Sequence, residues 1–158
     1  MATVDFLELS IIIREQLEAL DINYDYLIHD PTPTSEETGN IPGLKASQGV
    51  KTLIMESEKG MVMCCVPGDK KLDMEKVSKL VGAKVRTGDR AKIEALGLQI
   101  GGIPPIGKLI DIPSIFDTSL DKKTTVWFSC GTQTESLSMN AHDLIEYVEP
   151  QIADIVQI

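Results

Sequence analysis

Gly101-Gly102-Ile103-Pro104-Pro105-Ile106-Gly107 is the stretch on which the reading of this chain turns. Three glycines and two prolines in seven residues cannot continue a helix or a central strand, because proline fixes φ and removes an N–H while glycine opens conformations closed to other residues. The segment reads as a stiff, sharply bent loop with backbone N–H groups turned outward. With no Cβ at Gly101 or Gly102, a ligand reaches the main chain itself, and such a loop is suited to cradle an oxyanion, a carbonyl oxygen or a phosphate. The plainer alternative is a tight connector between a helix and a strand.

The chain on either side supplies the frame. Just upstream, Asp89 to Leu96 reads as a short helix closed by Gly97. Before it, a short strand runs from Lys84 to Arg86. A helix over Leu72 to Val81 is capped by Asp73, turns Met74, Val77 and Val81 inward and ends at Gly82. Val50 to Glu56 and Met61 to Val66 read as strands joined through Glu58-Lys59-Gly60, with Pro67-Gly68 stopping the second. At the start, Leu9, Ile13, Leu17 and Leu20 recur at helical spacing within 4–20, and Tyr24 to His29 follows as a strand. Asp30 to Gly43 has no hydrophobic period and reads as a mobile loop able to serve as a lid.

Downstream of the glycine loop, Lys108 to Asp111 reads as a strand with a turn at Pro113. Ser114 to Asp117, Thr124 to Ser129 and Ser136 to Met139 are further strands, the last two separated by a polar turn over Gly131 to Glu135. Asn140 caps a final helix with Asp143 at N3 and an apolar stripe of Leu144, Ile145 and Val148. Pro150 interrupts it, and Ile152, Ile155 and Val156 are expected as a last turn packed on the body. A β-rich middle with interspersed helices and no regular βαβ alternation means α+β with a mixed sheet.

At 158 residues the chain reads as one domain over 1–158, long enough to bury a real core. No apolar run approaches the ~18 residues that span a bilayer, and the acidic N-terminus lacks a basic leader, so a cytoplasmic protein with no membrane partner is expected. Cys64, Cys65 and Cys130 show no paired spacing and read as buried small hydrophobes in a reducing compartment; with only two histidines they give no zinc site. The net charge is −9, yet residues 70–92 hold eight basic side chains against three acids. That local excess can guide a polyanion with modest, salt-sensitive affinity, whereas genome-scale DNA binding is disfavoured. Two solvated helix faces would give the same pattern.

Lys51 opens an otherwise apolar strand, either snorkelling at the strand end or aiming a cation into a cleft where it holds a phosphate or a developing anion. His29 closes a strand before the long loop and reads as a partly buried histidine bonded to the backbone. Ser129-Cys130-Gly131 ends another strand with small residues that allow close approach by a ligand. There is no nucleophile elbow, P-loop, dinucleotide fingerprint or HExxH. The residues alone lead to a soluble α+β domain with a glycine-lined pocket.

Several segments, taken in order, resemble the YbaK / prolyl-tRNA synthetase-associated family of aminoacyl-tRNA editing domains. They are His29-Asp30-Pro31, Val50-Lys51-Thr52-Leu53, Leu72 to Val77 leading to Leu80-Val81-Gly82-Ala83-Lys84, the Gly101 to Gly107 loop, and Ser129 with Gly131. The resemblance implies an α+β fold with a mixed, barrel-like sheet flanked by helices, and a hydrolase that needs no metal or cofactor and removes a wrongly attached amino acid from the 3′ end of a tRNA. It assigns the catalytic role to Lys51 and to the Gly101 backbone. It sets Thr52, His29, Gly102, Pro105, Ser129 and Gly131 around the substrate end. By the same resemblance the attacking water is activated by the substrate itself, through the ribose 2′-OH or a cysteine thiol. The partners implied are the mischarged 3′ end and, as a candidate, prolyl-tRNA synthetase, with a small amino acid such as cysteine or alanine on proline tRNA as substrate. The chain departs from the cysteinyl-tRNA deacylase branch at Leu27, where a tyrosine is usual, and at Ser136, where an aspartate is. Pro104 stands in place of the more usual serine.

Two readings result. One is a free-standing trans-editing deacylase; the other is a catalytically silent module that binds a tRNA end or a synthetase. A small-molecule ester hydrolase ranks below both, because no nucleophilic triad is visible.

Overall fold

The computed structural model describes residues 2–31 and 44–158. Helix α1 (Phe6–Ala19) starts where the Asp5 side chain accepts from the Leu7 N–H, and it buries Leu9, Ser10, Ile13 and Leu17. Leu20, expected to extend that stripe, falls beyond the last turn and is exposed. Strands β1 (Tyr24–Ile28), β6 (Thr125–Ser129) and β7 (Glu135–Asn140) form an antiparallel sheet in the order β1-β7-β6.

The second sheet has the order β4-β2-β3-β5-β8, from β2 (Val50–Ser57), β3 (Gly60–Pro67), β4 (Arg86–Thr87), β5 (Ser114–Asp117) and β8 (Gln151–Ala153). It is mixed: β2 pairs antiparallel with β3 and β4, while β3–β5 and β5–β8 are parallel. Among the described residues, the two sheets are joined by a parallel bridge between Gly49 and Trp127. Gly49 is required there, since a Cβ would lie 2.6 Å from the indole. The α+β class with a mixed sheet and flanking helices is therefore what the chain adopts, the barrel-like part taking the form of two sheets that touch rather than one closed ladder.

Side-chain alternation along β2, β3 and β5 sends Ile54, Met63, Cys65 and Phe116 into the main core with α1, β6 and β7. Their neighbours Met55, Val62, Cys64 and Ile115 go to a second core with Leu72, Val77, Val85 and Ile155. Helix α2 (Met74–Val81) is capped by Asp73 and closed by a left-handed Gly82, as its sequence indicates, but Met74 is exposed and only Val77 is fully buried. Helix α3 (Arg90–Ala95) is capped by Asp89, and α4 (Ala141–Val148) by Asn140.

Three expectations need correction. Lys108 to Asp111 is not a strand: the Ile110 and Ile112 N–H groups both donate to the Gly107 carbonyl, which curls Gly107–Leu109 into a 3-10 turn. The C-terminal turn is instead β8, because a left-handed Glu149 (φ 55°) ends α4 and Pro150 leads the chain out extended. The strand before α3 is only Arg86–Thr87. The lid assigned to Asp30–Gly43 falls, for residues 32–43, outside the described residues.

Candidate active site

Strand β4 covers only Met55 and Glu56 of β2, so among the described residues the edge of β2 from Val50 to Ile54 has no strand partner on that side. Against this open edge lies a cavity of about 400 Å³. Lys51, Thr52 and Leu53 of β2 line it together with Thr87, Gly88 and Arg90. Ile100, Gly101 and Ile103 from the glycine loop and Ser129 from the end of β6 line it as well. Four of the residues singled out from sequence, Lys51, Thr52, Gly101 and Ser129, thus share one cavity.

Lys51 and Thr52 are held by identifiable contacts, and Gly101 by its backbone conformation. The Lys51 ammonium donates to the Lys70 carbonyl at 2.7 Å. The turn bearing that carbonyl is itself pinned by the Gly68 N–H on the Gly49 carbonyl at 2.8 Å. Thr52 faces Cys65 across the β2–β3 ladder and accepts a weak thiol contact at 3.9 Å. Gly101 sits at φ 88°, a left-handed conformation that glycine adopts without penalty.

His29, Gly102, Pro105 and Gly131 do not line the cavity. His29 packs its ring between the Asp30 carbonyl and the Ser136 hydroxyl, both at 2.8 Å. A carbonyl only accepts, so Nδ1 donates to Asp30, and Nε2 shares a hydrogen bond with the Ser136 hydroxyl. Pro105 is buried. Gly102 and Gly131 pack on each other: the Gly131 N–H donates to the Gly102 carbonyl at 2.9 Å. A Cβ on Gly102 would lie 2.6 Å from the Gly131 oxygen. The bare face of Gly102 is thus taken up by the neighbouring turn rather than offered to a ligand.

Leu27 and Ser136 are direct cross-strand partners, and Ser136 also pairs with Ser129. The three side chains form one row across the small sheet, on one face, ending at the cavity.

Below the turn over Gly131–Glu135 lies a polar cluster that sequence reading passed over. Tyr26 donates to the Glu135 carboxylate, Thr132 donates to it at 2.9 Å, and the Arg14 guanidinium lies 3.9 Å over the Tyr26 ring. Burial opposes the charge on Glu135. Hydrogen bonds from Tyr26, Ser10 and Thr132, with Arg14 nearby, outweigh that and hold the carboxyl below its ordinary range. Burial, followed by the bond to Glu135, raises the Tyr26 phenol. These polar residues come from α1, β1 and the turn, with no periodic or motif signal to link them.

The described cavity lining holds no carboxylate, imidazole or thiol. Burial pushes the Cys64 and Cys130 thiols up to about 12 and Cys65 higher still, so none is a thiolate nucleophile at neutral pH. Among the described residues, no three His, Cys, Asp or Glu side chains could hold a metal ion, and no helix is long and apolar enough to cross a membrane.

The family model for the aminoacyl-tRNA editing domain matches residues 29–147. The chain is 27% identical over 142 residues to the prolyl-tRNA editing protein ProX of Acetoanaerobium sticklandii, covering 85% of this chain and 87% of that protein. It is 30% identical over 116 residues to the proline–tRNA ligase of Thermodesulfovibrio yellowstonii, covering 71% of this chain but 20% of the ligase. The crystal structure of a candidate trans-editing enzyme for prolyl-tRNA synthetase superposes with a TM-score of 0.82 at 27% identity, over 94% of this chain and 97% of that one.

Proposed function

The chain belongs to the aminoacyl-tRNA editing domain family, and from that premise we propose that it is a trans-acting aminoacyl-tRNA deacylase. The observation that carries the reading is the cavity whose lining brings together a tethered ammonium, Lys51, with Thr52, Gly101 and Ser129.

In the proposed reaction, water adds to the ester carbonyl carbon of the mischarged tRNA and negative charge gathers on the carbonyl oxygen. Backbone N–H groups at Gly101 stabilise that charge, the term that contributes most in reactions of this type. The bond to the terminal ribose oxygen then breaks. The oxygen takes a proton and leaves as a free hydroxyl, and the amino acid departs as its carboxylate. With no carboxylate, imidazole or thiol in the described lining, the proton from water is handled by the substrate, through the ribose 2′-OH or a cysteine thiol. Lys51 and the exposed Lys70 and Lys71 beside it hold the acceptor phosphates. Leu53, Ile54, Ile93, Ile100 and Ile103 give the cavity an apolar lining suited to a small side chain such as alanine or cysteine. The likeness to ProX and to a proline–tRNA ligase supports proline tRNA as the carrier and prolyl-tRNA synthetase as a partner.

The test is deacylation of a panel of mischarged tRNAs by the wild type and Lys51→Ala. Release of one small amino acid by the wild type, lost in the variant, is the expected result. No acceleration over buffer, with or without prolyl-tRNA synthetase, would overturn hydrolysis in favour of binding alone.

A further inference from the structure

The glycine loop is anchored to the β6–β7 turn at alternate peptide units. The Gln133 side-chain Nε2 donates to the Ile100 carbonyl at 2.9 Å, and the Gly131 N–H donates to the Gly102 carbonyl at 2.9 Å. A third bond, from the Gln133 N–H to Gln99 Oε1 at 3.0 Å, fixes Gln133 to the loop's entry. The intervening peptide is committed elsewhere, the Gly102 N–H donating to the Gln99 carbonyl at 2.9 Å.

A trans peptide is planar, and its C=O and N–H point in opposite directions. No described peptide bond is cis. The carbonyl of Ile100 and the N–H of Gly101 belong to one peptide unit, and so do the carbonyl of Gly102 and the N–H of Ile103. Drawing both carbonyls onto the turn therefore swings both N–H groups to the far side. Ile100, Gly101 and Ile103 line the cavity while Gly102, Gly131 and Gln133, which hold the two carbonyls, do not, so the side away from the turn is the cavity side. Among the described residues neither N–H meets an intramolecular acceptor. A hydrogen bond to an amide carbonyl also polarises the same unit and strengthens its N–H as a donor.

We propose that Gln133 is a positioning residue for ester hydrolysis: by holding the Ile100 carbonyl, it aims and polarises the Gly101 N–H as one of two donors, with the Ile103 N–H, for the oxyanion. The inference rests on the deacylase reading above. Gly131 performs the same task for Ile103 through its backbone, beyond the reach of side-chain substitution, so Gln133 is the one of the two anchors that mutation can remove.

The experiment pairs kinetics with a readout independent of turnover, using Gln133→Ala and Gln133→Glu. The glutamate variant keeps the backbone bond to Gln99 and exchanges the Nε2 donor for a carboxylate oxygen, so it removes the bond to Ile100 and adds a charge, while the alanine variant removes the bond without one. An oxyanion interaction acts in the transition state and not in substrate binding. Both variants should therefore lower kcat roughly 10- to 100-fold, less than the roughly 100- to 1,000-fold loss when such a donor is removed outright, with KM for tRNA unchanged within about twofold and the unfolding temperature of the glutamate variant near that of wild type. In NMR spectra, the Ile100 carbonyl carbon and Gly101 amide resonances should move in both variants, while the Gly102–Ile103 unit, held by Gly131, stays in place. An unchanged kcat, or a rise in KM alone, overturns the proposal. Unmoved Ile100 and Gly101 resonances overturn it even if the wild type hydrolyses nothing, an outcome that would separately sink the deacylase reading.

Discussion

The ammonium of Lys51 and the backbone carbonyl of Lys70 stand 2.7 Å apart. A carbonyl positions a cation without cancelling its charge, whereas a carboxylate partner would do both. Lys51 is therefore fixed at the cavity edge by a neutral partner that leaves its ammonium available to a ligand. Lys51→Met keeps much of the apolar stem and deletes the charge. It should lower kcat/KM at least about 100-fold, on the scale of losing one preorganised electrostatic contact, with little change in unfolding temperature. A variant retaining wild-type kcat/KM in single-turnover deacylation would remove Lys51 from the mechanism.

Lys70 offers a contrasting test, because its carbonyl, not its side chain, holds Lys51. The side chains of Lys70 and Lys71 are exposed and belong to the basic 70–92 segment. In the double variant Lys70→Ala/Lys71→Ala, KM for tRNA should rise several-fold and its dependence on salt should flatten, since each phosphate contact removed lowers the salt slope by about one. The value of kcat should stay within about twofold. A fall in kcat with unchanged KM would place these lysines in the chemistry instead.

The parts of the fold that read correctly from sequence are those governed by local rules. The β2–β3 hairpin follows from two apolar β-prone runs joined through Glu58-Lys59-Gly60, and α2 and α4 from their caps at Asp73 and Asn140. Lys108–Asp111 misled because its composition suits a strand, while the Gly107 carbonyl accepts from two later N–H groups and curls the chain. Within the site, Lys51, Thr52, Gly101 and Ser129 were legible. Gly102 and Gly131 were legible as special positions but not as each other's packing partners, since closeness between residues 29 apart leaves no local trace. Gln133 and Glu135 looked like ordinary turn residues for the same reason.

Gly102 can be separated from Gly60 on these grounds. An alanine at Gly102 sets its Cβ 2.6 Å from the Gly131 oxygen and 2.7 Å from Thr132 Cα, both backbone atoms that cannot rotate aside. The loop must lift from the turn, at a cost of roughly 1–3 kcal/mol, and deacylation should fall with it. At Gly60 a Cβ meets nothing within 4 Å, and only the φ of +108° opposes it. Gly60→Ala should lose about 1 kcal/mol, a local conformational cost, and keep full activity. Chemical denaturation and deacylation on the two variants check the contrast; equal activity in both would mean the loop's seat on the turn is dispensable.

Glu135 gives a pH signature. Its carboxyl titrates below the ordinary 4.5 because hydrogen bonds from Tyr26, Ser10 and Thr132, and the Arg14 charge, outweigh the opposing effect of burial. A group lowered in the native state binds fewer protons there than in the unfolded chain. Its stabilisation is therefore complete above the unfolded value and is lost as pH falls through the native one. In Glu135→Gln the charge and its acceptor strength are gone at every pH. The wild type should exceed the variant by about 1–3 kcal/mol near pH 7, in line with hydrogen bonds to a charged group, and the gap should shrink steadily below pH 4.5. Urea melts of both proteins at pH 7, 5 and 3.5 measure it. A gap that stays constant across that range would mean the carboxylate is held by shape alone, and that the cluster beneath the turn does not depend on its charge.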